Sequence, residues 1–419
     1  MRFDLLTIGD ELLLGFTVDT NGAFIARELA ALGGQVVRRT SVGDTPEEIG
    51  LAVREALDRS GAVITTGGLG PTADDLTKPS IAAVFGRAMY FDQGQWDRIR
   101  ALWMSRRRPG EPPESNKQQV MLPVGCTILE NPIGTAPGIF LEDEAGRWAA
   151  MLPGVPSEMR TMLVDRLLPL LQARGYLGGR VVRSRTVRTT GVAESTLAEV
   201  LGDCARGFPD ASLAYLPGVD GVDLRVTIRD AEPEVAERSL ERHVQVLRDR
   251  VGKFAYAEGT LDLPEVVLEL CRQRSLKVAV AESCTGGMLA SRLTAIPGSS
   301  EVFVGGVVSY ANDVKERILG VPTALLATDG AVSEPVARAM AGGVRERLRA
   351  DIGVAITGVA GPDGGSPEKP VGHVWIAVDF GDWARVYSGR FFIGRDEIRF
   401  RATQSALDTI RRRILFPGD

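Results

Sequence analysis

Histidine and cysteine are both scarce in these 419 residues: two of the first and four of the second. Cys126, Cys204, Cys271 and Cys284 are scattered and no pair is spaced C-x-x-C, so neither a zinc site nor a disulfide framework is expected. A Ser-His-Asp triad would have to use His373, because His243 lies in the charged helical run from Glu237 to Arg250. There is no excess of basic charge. The net charge is −5, which argues against a nucleic-acid binder working by bulk electrostatics. No apolar run is long enough to span a bilayer. The opening Met1-Arg2-Phe3-Asp4-Leu5-Leu6 puts an acid at the front of a strand-like run, so a cytoplasmic protein without a secretory leader is expected. No Walker loop, Nudix box, fixed-period repeat or low-complexity tract is found.

What is present is a long alternation of strand and helix patterns. An apolar fraction of 44% and a charged fraction of 25% are ordinary for a soluble globular chain. The length suggests two or three domains. In residues 1–170, Phe3 to Ile8 reads as a buried strand and Asn21 to Leu32 as a helix stopped by Gly33-Gly34. Ala62 to Thr66 reads as a strand running into Gly67-Gly68-Leu69-Gly70, followed by a helix from Leu76 to Phe85. Such units build doubly wound parallel sheets. Arg106 to Pro113 reads as a surface loop. Residues 171–258 change to a β-α-β-β-α-β order, suggesting a small KH-like or ferredoxin-like α+β module. Its Gly218-Val219-Asp220-Gly221 matches the G-x-x-G clamp of RNA-binding KH domains. The segment sits between strands and carries an acid, so a hairpin turn in a spacer or dimerisation module is expected. Glu258 to Asp262 reads as a linker. Residues 263–419 are again α/β. The fold class is thus two three-layer α/β domains joined by an α+β module.

The last domain carries the clearest chemistry. Ala281-Glu282-Ser283-Cys284-Thr285-Gly286-Gly287 follows a strand and opens a helix. A nucleophile there gains helix N–H groups for a developing oxyanion, although serine also favours such places as a plain N-cap. Cys284 is a rival nucleophile, or simply a buried small residue. Ser309-Tyr310-Ala311-Asn312-Asp313-Val314-Lys315 follows the next strand. Lysine serves as a base if desolvation brings its pKa from about 10.4 toward 7 or 8. On an exposed helix Lys315 would instead pair with Asp313 or Glu316. A tyrosine hydroxyl beside the pair would relay the proton. Thr357-Gly358-Val359-Ala360-Gly361 is a Gly-rich loop after a third strand, and Arg395 and Arg399 are either anion ligands or ordinary surface charge.

In the first domain, Gly9-Asp10-Glu11 follows the first strand, and Asp19-Thr20-Asn21 opens the first helix. Gly67-Gly68-Leu69-Gly70-Pro71-Thr72-Ala73-Asp74-Asp75 follows another strand. Backbone N–H groups of such turns cradle phosphates, and Asp10, Glu11, Asp74 and Asp75 suit a hard divalent ion. The plainer reading makes these acids helix caps and the glycines turns, above all Asp19.

Together these segments resemble the CinA family (competence/damage-inducible protein A). Ala281 to Gly287, Tyr310 to Lys315, Gly330 to Pro335 and Thr357 to Gly365 with Lys369-Pro370-Val371-Gly372 resemble its C-terminal domain. Asp74-Asp75-Leu76-Thr77, Asn131 to Gly138 and Leu152-Pro153-Gly154-Val155-Pro156 resemble its molybdopterin-binding-like N-terminal domain. The resemblance spans nearly the whole chain and is specific at both ends. It implies a C-terminal amidohydrolase that turns nicotinamide mononucleotide (NMN) into nicotinate mononucleotide and ammonia. Ser283 would be the nucleophile, Lys315 its base and Tyr310 the helper, with no cofactor, and Thr285, Gly286, Gly287, Thr357, Gly358 and Arg399 would be near substrate. It also implies an N-terminal ADP-ribose pyrophosphatase that needs a divalent metal on Asp10, Glu11, Asp74 and Asp75, with Asn21, Gly67, Gly68, Gly70, Thr72, Pro153 and Gly154 near substrate. Small nucleotides are the expected partners, a homodimer the expected state, and neither membrane nor nucleic acid is expected to bind directly. The competing expectations are a molybdopterin-binding protein and a competence or DNA-repair accessory without ADP-ribose activity.

Overall fold

Strands buried on both faces read as nearly unbroken apolar runs, and β1 (Arg2–Ile8) is one, with six of its seven residues buried. It is the second strand of a six-stranded sheet whose other members are β2 (Gln35–Val42), β3 (Ala62–Thr66), β6 (Thr127–Leu129), β7 (Gly138–Glu142) and β8 (Trp148–Leu152); β4 (Met89–Phe91) and β5 (Met121–Pro123) pair separately. The order is β2-β1-β3-β8-β7-β6. The pairs β1–β2, β1–β3 and β3–β8 are parallel, whereas β8–β7 and β7–β6 are antiparallel. The expected parallel sheet therefore has an antiparallel flank, built from short strands whose alternation is too brief to read from sequence. The structure is a computed structural model and describes residues 1–106 and 110–418, without the side chain of Asp230. Residues 107–109 of the expected 106–113 loop lie outside those described.

The helix Thr20–Ala31 begins where Asp19 accepts a hydrogen bond from the Gly22 N–H at 2.7 Å, so Asp19 is a cap, as its sequence position suggested. The core beneath holds Trp148 edge-on to Phe3 and against Phe140.

The middle sheet has the order β10-β11-β9-β12, from β9 (Val181–Thr189), β10 (Ser212–Pro217), β11 (Val222–Ala231) and β12 (Ala255–Glu258). With the helices Glu194–Leu201 and Pro233–Val251 it keeps the β-α-β-β-α-β order. The Gly218–Gly221 segment is a closed turn. Gly218 N–H donates to the Gly221 carbonyl, Arg188 pairs with Asp220, and the Asp220 carbonyl accepts from Thr190 and Gln404. These contacts tie the turn to its own domain and suit a hairpin turn.

The last sheet runs β14-β13-β15-β16-β17, from β13 (Val278–Glu282), β14 (Phe303–Val308), β15 (Ile352–Gly358), β16 (His373–Asp379) and β17 (Ala384–Arg390). Its first three strands are parallel, with β13 central, and β16 and β17 turn back antiparallel. Because β13 pairs with β14 on one side and β15 on the other, the crossovers diverge at its carboxyl end. That is where open α/β sheets bind ligands. The chain forms two compact units, residues 1–183 with 228–238, and 184–227 with 239–419.

Candidate active site

The carboxyl end of β13 delivers Ser283, and the end of β14 delivers Ser309 and Tyr310. Lys315 follows on the helix Asn312–Leu319. Helical spacing turns Lys315 and Leu319 inward together, while Asp313 pairs with Arg317 at 2.9 Å outside. Glu316 accepts from Thr323. Both carboxylates that would have held Lys315 on a solvated face are thus engaged elsewhere.

Lys315 is 1% exposed. Its Nζ donates to the Ser309 carbonyl at 2.7 Å and the Tyr310 carbonyl at 3.3 Å, and stands 3.3 Å from Ser283 Oγ. No carboxylate pairs with it among the described residues. Burial pushes the amine pKa down from the usual lysine range. In the neutral form, two N–H groups satisfy the two carbonyls and the lone pair remains for the serine proton. The Cys284 thiol is buried and is pushed up to about 12 by desolvation, so at neutral pH it is no thiolate.

Three expectations need correction. The first concerns the Tyr310 hydroxyl, which makes no hydrogen bond to Ser283 or Lys315 among the described residues. The residue is 64% exposed and its hydroxyl accepts from Arg395 at 3.4 Å; only its backbone carbonyl touches Lys315. The second concerns the helix after the serine. It starts at Met288, and its leading N–H groups are already engaged. The buried carboxylate of Glu282 accepts from Gly287 at 3.1 Å, Leu289 at 3.0 Å and Ala290 at 2.8 Å. This capping acid went unrecognised in the sequence because it lies inside a strand, six residues before the helix. The third concerns Arg399, which does not reach the cavity. It holds the Thr285 carbonyl at 2.8 Å and pairs with Asp396.

Beside the pair lies a cavity of about 280 Å³, lined by Ser283, Cys284, Tyr310, Lys315, Thr357, Gly358 and Arg395 among others. Thr285, Gly286 and Gly287 form the turn beneath the serine and are not in that lining. Thr357 Oγ1 donates to the Ala331 carbonyl at 2.7 Å, which ties the two loops of the rim together.

The first unit has its own cavity, of about 530 Å³. It brings together Glu11, Asn21, Gly67, Gly68, Gly70, Asp74, Asp75, Pro153 and Gly154 of the expected residues, and adds Asp44 and Gln119, which lie in no motif, and Glu158, which ends the segment that begins at Leu152. Two glycines are obligatory: a Cβ on Gly67 would lie 2.1 Å from the Ile8 carbonyl oxygen, and one on Gly68 2.1 Å from Thr77 Oγ1. Asp10 is not in the lining; it and Asp44 exchange hydrogen bonds through their backbone N–H groups. Thr72 is also outside it, and donates to Asp75 at 2.6 Å. Asp75 itself accepts from Gly70 N–H at 2.7 Å and Thr72 N–H at 2.8 Å, so it folds the loop and has little capacity left for a cation. Burial raises the Asp44 carboxyl pKa, and the charges of Asp10, Glu11 and Asp74 raise it further against a backbone hydrogen bond from Asp10. Among the described residues no three His, Cys, Asp or Glu converge as a metal cage.

The chain matches three family models: a probable molybdopterin binding domain over residues 4–173, a damage-inducible protein CinA KH domain over 184–257, and a CinA C-terminal domain over 260–414. It is 58% identical over 412 residues to a CinA-like protein of Gemmatimonas aurantiaca, covering 98% of this chain and 96% of the relative. It is 42% identical to a putative competence-damage inducible protein of Moorella thermoacetica, covering 99% of each. Among solved structures, the competence/damage inducible protein CihA from Agrobacterium tumefaciens is 44% identical with a TM-score of 0.35, covering 36% of this chain and 92% of its own. With relatives this similar matched end to end, and with all three family models falling in order along it, the chain belongs to the CinA family of competence/damage-inducible proteins.

Proposed function

We propose that the chain is a bifunctional hydrolase of pyridine-nucleotide recycling, whose last domain deamidates nicotinamide mononucleotide. One observation carries this reading: a lysine amine without a carboxylate partner, held out of water 3.3 Å from a serine hydroxyl at the carboxyl end of a parallel strand. Ser283 Oγ attacks the carboxamide carbon while Lys315 takes its proton. Lys315 then gives that proton to the departing nitrogen, and ammonia leaves. Water, activated by the same amine, cleaves the acyl-enzyme to nicotinate mononucleotide. Arg395, on the cavity lining, takes the substrate's phosphate in place of Arg399, and holds the Tyr310 phenol at the rim. The test is ammonia release from the mononucleotide by wild type, Ser283→Ala, Lys315→Ala and Cys284→Ala. Loss with Cys284→Ala and not with Ser283→Ala or Lys315→Ala would sink the assignment.

For the first domain we propose hydrolysis of ADP-ribose to AMP and ribose 5-phosphate. The support is a cavity that joins obligatory glycine turns to the carboxylates of Glu11, Asp44, Asp74 and Glu158. These are hard oxygen donors of the class magnesium accepts. Such an ion is commonly held by one or two carboxylates together with substrate phosphates, which fits a site without a ready-made cage. Glu11 and Asp74 would hold it. Bound, it would neutralise pyrophosphate charge as the bond breaks. The competing reading, a molybdopterin-binding domain, has the match over residues 4–173 in its favour. Calorimetry with molybdopterin against ADP-ribose separates the two.

A further inference from the structure

Apart from the two cavities above, a third hollow of about 230 Å³ is lined by Lys253, Trp383, Arg385, Thr409, Arg412 and Arg413. Four of the six are cations and none is an acid, in a chain whose net charge is −5. The residues come from four places: the short helical turn Gly252–Phe254, the connection between β16 and β17, the start of β17 itself, and the helix Arg395–Leu415. On that helix Thr409, Arg412 and Arg413 are spaced i, i+3 and i+4 and share one face.

The neighbouring counter-charge is thin. Asp408 pairs with Arg412 at 2.7 Å and is shared with Arg411 at 2.6 Å. Arg413 lies 4.9 Å over the Trp383 ring and donates to the Pro417 carbonyl. Arg385 lies 5.5 Å over Tyr387. Neither of these two pairs with a carboxylate among the described residues. Guanidinium groups converging on one hollow, with Asp408 the one carboxylate paired to them among the described residues, sustain a positive potential suited to a multiply charged anion. Their planar forks match phosphate oxygens. The size admits one phosphate and part of what it esterifies, and Trp383 brings an aromatic ring to the same lining. A nucleic-acid strand needs a track of cations rather than a hollow, and the Gly218–Gly221 turn next in line for that duty is closed.

We propose that this hollow binds a phosphomonoester, with Arg385, Arg412 and Arg413 on the phosphate and Trp383 against the group it carries. The site is separate from either proposed reaction. Tryptophan fluorescence of the full chain, titrated with inorganic phosphate and with AMP, tests it. The other two cavity linings contain no tryptophan, so a response that disappears in Trp383→Phe reports this hollow. Arg385→Ala and Arg413→Ala should each weaken binding about tenfold, Arg385→Lys should weaken it less, and Arg395→Ala should leave it unchanged. Absence of a Trp383-dependent response to either ligand overturns the proposal. So does a response that survives the Arg385→Ala/Arg413→Ala double variant. Binding of a single-stranded oligonucleotide without any response to phosphate or AMP overturns it in favour of a nucleic-acid surface.

Discussion

Lys315 stands closer to the carbonyl of Ser309 than to the hydroxyl of Ser283, at 2.7 against 3.3 Å. Ser309 is tied back in turn, since its N–H donates to the Glu282 carbonyl at 2.8 Å. The amine is therefore fixed by the strand ends before it meets the serine. Its removal should lower ammonia release about 10³-fold or more, with little change in KM. Lys315→Arg should not restore it, because a guanidinium does not lose its proton. Steady-state kinetics of the two variants check this, and substantial activity in either removes Lys315 as the base.

The same burial sets a pH dependence. A lysine base works only when neutral, and desolvation lowers the pH at which this one becomes so. The rate constant kcat/KM should thus rise with pH through that depressed value and level off above it, short of the usual lysine range near about 10.4. A pH–rate profile that falls across this window, or keeps rising to the ordinary lysine value, contradicts the assignment.

Cys284 should be dispensable. Its thiol, pushed up to about 12, stays protonated near neutrality, so Cys284→Ala should keep activity within about threefold and alkylating reagents should inactivate slowly. Rapid inactivation by iodoacetamide at pH 7 would reverse the roles of residues 283 and 284.

Glu282 should matter for stability first. Its carboxylate satisfies three backbone N–H groups from inside the protein, and Glu282→Ala leaves them without acceptors at a cost of about 3 kcal/mol or more. Calorimetric melting that matches wild type would show that the helix end finds other acceptors.

ADP-ribose cleavage should stop with a chelator, survive Ser283→Ala, and fall sharply with Glu11→Ala or Asp74→Ala. Because no three ligands converge among the described residues, magnesium should bind the free protein only weakly and more tightly once nucleotide is present. Stoichiometric tight binding to the nucleotide-free chain, seen by calorimetry, would mean that the cage exists after all.

Much of this was legible in the sequence. Buried strands such as β1 and β13 announce themselves by unbroken apolar runs, and the residues after them face the ligand end of the sheet by topology alone. Strand pattern and topology put Ser283 and Lys315 at that end, whereas their roles as nucleophile and base come from the family resemblance. What sequence concealed depends on side-chain direction. Tyr310 contributes a carbonyl to Lys315 where its phenol was expected, while the largely exposed phenol meets Arg395 at the rim. Asp75 and Asp10 read as metal ligands, but carboxylates in tight turns bond the nearest N–H groups first. Arg395 and Arg399 lie four residues apart on one helix, and only their packing decides which of them reaches the cavity.

The stretch from Glu258 to Asp262 looks like a place to cut the chain, but the contacts around it say otherwise. Tyr256 is part of the apolar core of the last domain, and the guanidinium of Arg411, almost wholly enclosed, donates to the carbonyls of Lys253 and Ala255. A fragment begun at Leu263 would carry an enclosed cation stripped of two of its acceptors and an open notch where an aromatic ring had been. Anyone wishing to crystallise or assay the last domain alone should start upstream of β12, or expect a shortened piece that melts early for reasons unrelated to catalysis.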